Sequence, residues 1–155
     1  MFYNKRKQES YFAQQRKNNP NFCNQLDDSQ LRSQVKRIVK DIYNKNIEEQ
    51  DLIYFKNDKV ISACIHVARE KAAEYKAIAE ACTFYVNHLD KTYGYVNIVN
   101  SPIRQYAAKA IVDYSTGATI WNDCDQIFTA IANGYDINVM LGGLLRYNPK
   151  DFQNL

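Results

Sequence analysis

NDKVISACIHVAREKAAEYKAIAEACTFYVNHL, residues 57–89, decides the fold. Asn57 and Asp58 suit a helix start, because their short side chains accept from the first amides, which have no partner inside the helix. Neither Gly nor Pro interrupts the run that follows. Ile61, Ile65, Ala68, Ala72, Tyr75, Ala79, Cys82, Val86 and Leu89 recur at alternating spacings of four and three, the seam of a heptad repeat. The opposite stripe, including Lys59, Ser62, His66, Arg69, Lys76, Glu80, Thr83 and Asn87, is polar. The spacing predicts one helix of roughly 32 residues, ~48 Å long at 1.5 Å per residue. Its small residues Ala68, Ala72, Ala79 and Cys82 admit a second helix at close range, and with Tyr75 they form the expected packing seam.

Shorter helices flank this segment. Upstream, Asp27, Asp28 and Ser29 offer caps for a helix whose apolar positions Leu31, Val35, Ile38, Val39 and Ile42 follow the 3.6-residue period, ending near Asn44 to Asn46. Its other face carries Arg32, Lys36, Arg37 and Lys40. Leu52 to Phe55 is apolar without a period and is ambiguous between helix and strand. Downstream, Gly94 breaks the chain, and Tyr93, Tyr95, Val96, Ile98 and Val99 have strand-like composition. They read either as an apolar loop over the helices or as an edge strand completed by another chain.

Ser101 and Pro102 then open a helix, with Ser as cap and Pro in the first turn, that Gly117 is expected to end. A further helix spans about Ala118 to Asn133, stopped by Gly134, and Asp136 caps a last one reaching about Arg146. Gly142 and Gly143 inside it suggest close contact with another backbone. The expected architecture is all-α: about five or six helices bundled around one long heptad-patterned helix, with residues 26–155 forming a single domain.

Residues 1–25 differ from the rest. They are polar, rich in Asn, Gln, Lys and Arg, and contain Pro20, so alone they bury too little apolar surface to offset the entropy of ordering. A short helix from Gln8 to Lys17 is the only local structure they suggest. The chain's net charge of +3 divides into +6 over residues 1–40 and −3 over the remainder. Lys5, Arg6, Lys7, Arg16 and Lys17, interleaved with Tyr11 and Phe12, make an extended basic arm. Lysine and arginine neutralise phosphates and aromatic rings stack on unpaired bases, but the same composition suits an arm laid on a neighbouring subunit, or a solvated tail.

Composition and spacing narrow the chemistry. The 155 residues are 46% hydrophobic and 24% charged, as in ordinary globular proteins. The basic start has no apolar stretch behind it, no run approaches the length of a spanning helix, and the four cysteines lack paired spacing. A reduced, intracellular setting without membrane insertion, or a place within a virion, is expected. The five glycines never form a phosphate-binding loop. Cys64 and His66 point to different faces of one helix, and no Glu-x-x-His pairs occur. His66 and Glu70 share a face and read as a surface pair, and Asp113, Asp123 and Asp125 as ordinary surface acids. The helix expected at 118–133 carries acids and no Lys or Arg, so it does not serve as a DNA-recognition helix. No catalytic, cofactor or metal site is expected.

The functional expectation is a non-enzymatic structural subunit that assembles with its own copies or with other proteins. The 26 Asn and Gln and 12 Tyr suggest an AT-rich genome, such as those of many phages and low-GC bacteria, and with the long helix suit a virion head or connector component. The alternative is a small nucleic-acid-binding or regulatory protein acting through its basic arm and the Arg32, Lys36, Arg37 and Lys40 face.

Overall fold

The structure, a computed structural model, describes residues 26–43 and 55–144. The arm with its candidate residues Lys5, Arg6, Lys7, Tyr11, Phe12, Arg16 and Lys17 lies outside them, as do Leu52 to Tyr54 and the expected ends of the first and last helices. Within the described residues the chain is mostly helical and contains no strand. The helices are α1 (Asp28–Tyr43), α2 (Asp58–Tyr93), α3 (Tyr95–Ile98), α4 (Pro102–Ala132) and α5 (Ile137–Leu144).

Each boundary has a local cause. Asp27 Oδ1 accepts from the Gln30 amide at 2.8 Å while Gln30 Oε1 accepts from the Asp27 amide at 3.1 Å, a reciprocal capping box that starts α1. Asn57 Oδ1 accepts from the amides of Lys59 and Val60 at 2.9 and 3.2 Å and starts α2. That helix runs four residues past the expected Leu89, to Tyr93, where Gly94 at φ 82° turns the chain and donates its amide to Asp90 O. At the other end of α4, Gly134 adopts φ 96°, and Asp136 Oδ1 accepts from the Val139 amide at 3.0 Å to begin α5.

Four expectations are corrected. The helices expected on either side of Gly117 are one helix of 31 residues, with Gly117 buried in its middle. A glycine costs an exposed helix interior about 1 kcal/mol, but Gly117 is buried within the fold, where tertiary context overrides propensity. Residues 95–98 are one helical turn rather than a strand or loop: the amides of Asn97 and Ile98 both donate to Gly94 O. Ser101 stands at the start of α4, but its side chain makes no capping hydrogen bond. At Gly142 in α5 no close backbone contact is present either, because a Cβ there would meet nothing within 4 Å.

The long helices α2 and α4, about 54 and 46 Å at 1.5 Å per residue, form an antiparallel hairpin with α3 at its turn. Contacts between them run in opposite order along the two helices: Arg69 with Asp125, Tyr75 with Tyr114, Asp90 with Arg104. α1 lies along the first half of α2 in the same direction, as Lys59 Nζ donating to Leu26 O at 3.0 Å and Arg32 paired with Glu70 show. α5 packs on α4 and α1.

The core sits at this base. Leu31, Val35, Ile38 and Val39 of α1 meet Val60, Cys64 and Val67 of α2, Ile120, Trp121, Cys124 and Phe128 of α4, and Leu141 of α5. Phe55, just before α2, stacks on Phe128 with ring centroids 6.0 Å apart. Beyond this base, the described residues of the hairpin are those of α2 and α4, with α3 at their turn.

Candidate interaction surface

One row of side chains along α4 passes from the core into the open. Ile103, Tyr106, Ala110, Asp113, Gly117, Ile120, Cys124, Ile127 and Ile131 alternate steps of three and four, so they share one face. Gly117, Ile120, Cys124 and Ile131 are buried, whereas Asp113, Tyr106 and Ile103 are exposed, Tyr106 by 79% and Ile103 by 59%. On α2 the row Val60, Cys64, Val67, Lys71, Glu74, Ile78, Ala81 and Tyr85 behaves alike. Its first three members are buried under α1, and Ala81 and Tyr85 are exposed.

Both rows enter the same core at the base and therefore share one side of the hairpin beyond it. The distal part of that side presents Ala81 and Tyr85 from α2 and Ile103 and Tyr106 from α4, with Ala110 half-buried and Ile78 packed against the core. Phe84, one residue from Tyr85, is 76% exposed but lies on a different side of α2, a 100° step away. A two-helix layer that shows aromatic and aliphatic side chains on the side where its own base is covered is a layer with room for another.

Charge is scarce over this part of the molecule. Residues 78–113 hold three acids, Glu80, Asp90 and Asp113, and three bases, Lys91, Arg104 and Lys109. Asp90 and Arg104 engage each other, with Nε to Oδ1 at 2.8 Å and a second nitrogen to Oδ2 at 3.0 Å. Arg104's hydrogen bonds hold the Asp90 carboxyl below the usual carboxylate range, against a smaller opposing effect of desolvation. The Arg104 guanidinium also lies 4.9 Å from the centre of the Tyr95 ring, which ties α3 to the same clamp.

The expected packing seam falls along the α2 side of the hairpin. Ala68, Tyr75 and Ala79 are buried, and Ala72 and Cys82 half-buried. Tyr75 meets Tyr114 of α4 with ring centroids 5.6 Å apart, and burial, with smaller contributions from Glu74 and Tyr114, pushes its phenol up. A groove of about 350 Å³ runs beside the seam, lined by Lys76, Ala79, Glu80, Thr83, Ser115, Ala118 and Thr119. Its threonines turn inward: Thr83 donates to Ala79 O and Thr119 to Ser115 O, at 2.9 and 3.1 Å.

The basic face of α1 is engaged in part. Arg32 pairs with Glu70, which also accepts from His66 Nε2 at 3.0 Å, so that carboxylate links α1 to α2. Lys36 is pushed below the usual lysine range, mainly by burial and then by the nearby charges of Lys71 and Arg32. Asp125 accepts from Arg69 Nε at 3.0 Å and from Thr129 Oγ1 at 3.1 Å. Cys64 is buried and His66 exposed. Among the described residues no three His, Cys, Asp or Glu side chains gather where they could hold a metal ion. Nor is any described helix long and apolar enough to cross a membrane.

No protein-family model, no curated protein and no solved structure matches this chain.

Proposed function

We propose that this chain is a non-enzymatic assembly subunit of a larger protein complex, joining its own copies or other subunits through the distal half of its helical hairpin. The observation that carries this reading is the α4 row, whose members Gly117, Ile120, Cys124 and Ile131 are buried while Ile103, Tyr106 and Asp113 are exposed. Exposed aromatic side chains on paired helices gain free energy when another apolar face removes them from water, roughly 25 cal/mol per Å². Within this class, the richness in Asn, Gln and Tyr supports a phage virion component of head or connector.

Absolute mass by light scattering behind a sizing column, at low and high salt and with the absorbance ratio at 260 and 280 nm, tests the reading. A defined oligomer free of nucleic acid supports it, and so does recovery of the chain at fixed stoichiometry in particles purified from its source. The charge of +6 over residues 1–40 favours a second reading, nucleic-acid binding through the arm. A monomer that carries nucleic acid at low salt, and loses that affinity on deletion of residues 2–24, would establish the second reading in place of the first.

A further inference from the structure

We infer that Asn133 is a site of spontaneous covalent modification, at which the backbone nitrogen of Gly134 displaces ammonia from the Asn133 side chain and leaves an isoaspartyl residue that loosens α5. The inference is independent of the assembly reading.

The chemistry starts from the sequence. An asparagine closes on the backbone nitrogen of the next residue most readily when that residue has no Cβ to crowd the ring. No other asparagine of the chain precedes a glycine, so the reaction has one preferred site. Asn133 and Gly134 are both exposed, as is the whole connection over residues 132–136. A Cβ on Gly134 would meet nothing within 4 Å, so there is room for a five-membered ring.

The step needs only water. Gly134 N forms a bond to Asn133 Cγ, the Cγ–Nδ2 bond breaks, and the amide proton leaves with that nitrogen as ammonia. Water then opens the cyclic imide. Where it cleaves the bond from Gly134 N to the original Asn133 carbonyl, the chain continues through Cβ and Cγ, and that carbonyl becomes a free carboxylate. Nothing is oxidised or reduced.

The folded turn restrains the nucleophile. Gly134 N donates to Ile131 O at 3.0 Å and Tyr135 N to Ala130 O at 3.1 Å, the paired hydrogen bonds of a Schellman cap, with Gly134 in its left-handed position at φ 96°. The nitrogen that must attack is therefore one of the two that close α4, and the ring forms when this exposed cap opens, as helix ends do at low cost.

The product in turn undoes the cap. The isoaspartyl link adds a methylene between the α-carbon of Asn133 and Gly134 N, which displaces both amides from the carbonyls that α4 offers them. It also leaves a carboxylate at the negative end of α4, whose last turn has no basic residue, three residues before Asp136, the cap of α5. With eight residues, α5 is too short to be stable by itself in water. Its place depends on Leu141, which is buried, on Ile137 and Met140, which pack against the core, and on the connection that the product lengthens.

Ageing the full chain for weeks in mildly alkaline buffer tests the inference. The protein is digested and mapped by mass spectrometry, with an isoaspartyl methyltransferase and a labelled methyl donor marking the product. The peptide holding Asn133 should carry at least tenfold more label than any other, and Asn133→Gln should remove it. Ageing in urea, where the cap is open, should speed the reaction at least tenfold. The aged fraction, richer by one negative charge and separable by ion exchange, should exchange the amides of residues 137–144 with deuterium at least tenfold faster than fresh protein, with those of α2 within twofold. The wild-type map reads the site without any variant. Equal label at Asn100, which precedes Ser101, overturns the inference. So does a rate in urea no faster than in the folded chain, or an aged fraction whose α5 exchanges like that of fresh protein.

Discussion

Asp90 and Arg104 clamp the two long helices together near the free end of the hairpin, 14 residues apart in sequence and joined by two hydrogen bonds. Arg104 lowers the carboxyl's proton affinity in the folded chain, while the unfolded chain takes up its proton near pH 3.9. A depressed folded value means that the clamp's contribution is present above the unfolded value and is lost as pH falls through the folded one. Thermal melts from pH 7 to pH 3 should show wild type losing more stability on acidification than Asp90→Asn. Parallel curves would mean that the clamp is energetically idle.

Asn57 satisfies two amides at the start of α2, so Asn57→Ala should lower stability by about 1 kcal/mol. A urea titration followed by circular dichroism reads this as a lower midpoint at unchanged slope.

Gly142 and Gly134 should respond to alanine with opposite signs. Gly142 lies inside α5 with open space where a Cβ would stand, so Gly142→Ala should stabilise by about 0.5–1 kcal/mol. Gly134 also has room but sits at φ 96°, where an L side chain costs about 1–2 kcal/mol. Unfolding midpoints of the two variants should bracket that of wild type.

Ala79 is buried against α4, and leucine there should cost about 1–3 kcal/mol through overpacking. Ala77→Leu, two residues away on the exposed side, should leave stability within about 0.5 kcal/mol. Equal responses at the two positions would mean that the hairpin interface is loose.

The start of α2 was legible because its determinants are local: Asn57 caps through amides two and three residues ahead, and no breaker follows before Gly94. The all-α class followed from the same periodicities. The unity of α4 was not legible, because Gly117 carries a local cost whose compensation comes from residues far away in sequence. Residues 95–98 misled for the opposite reason. Tyr95, Val96 and Ile98 have the composition of a strand, yet strand preference depends on a partner to pair with, and Gly94 at φ 82° directs the chain into a turn instead. The candidate surface stayed hidden for a third reason. Tyr106 and Ile103 look like core residues on any helical wheel, but among the described residues α1 reaches only the base, and both side chains are exposed.

Among the described residues, the uninterrupted helix α2 packs on α1 and α4 in its first half and on α4 and α3 towards its end. Mechanically that is a lever about 54 Å long, seated in the core at Val60 to Val67 and held at its far end by the Asp90–Arg104 clamp. Packed interiors yield little to compression, so a sideways load on Tyr106 or Tyr85 reaches Trp121 and Phe128 as torque on close-packed side chains. Whatever grips the tip thereby gains leverage on the centre of the molecule.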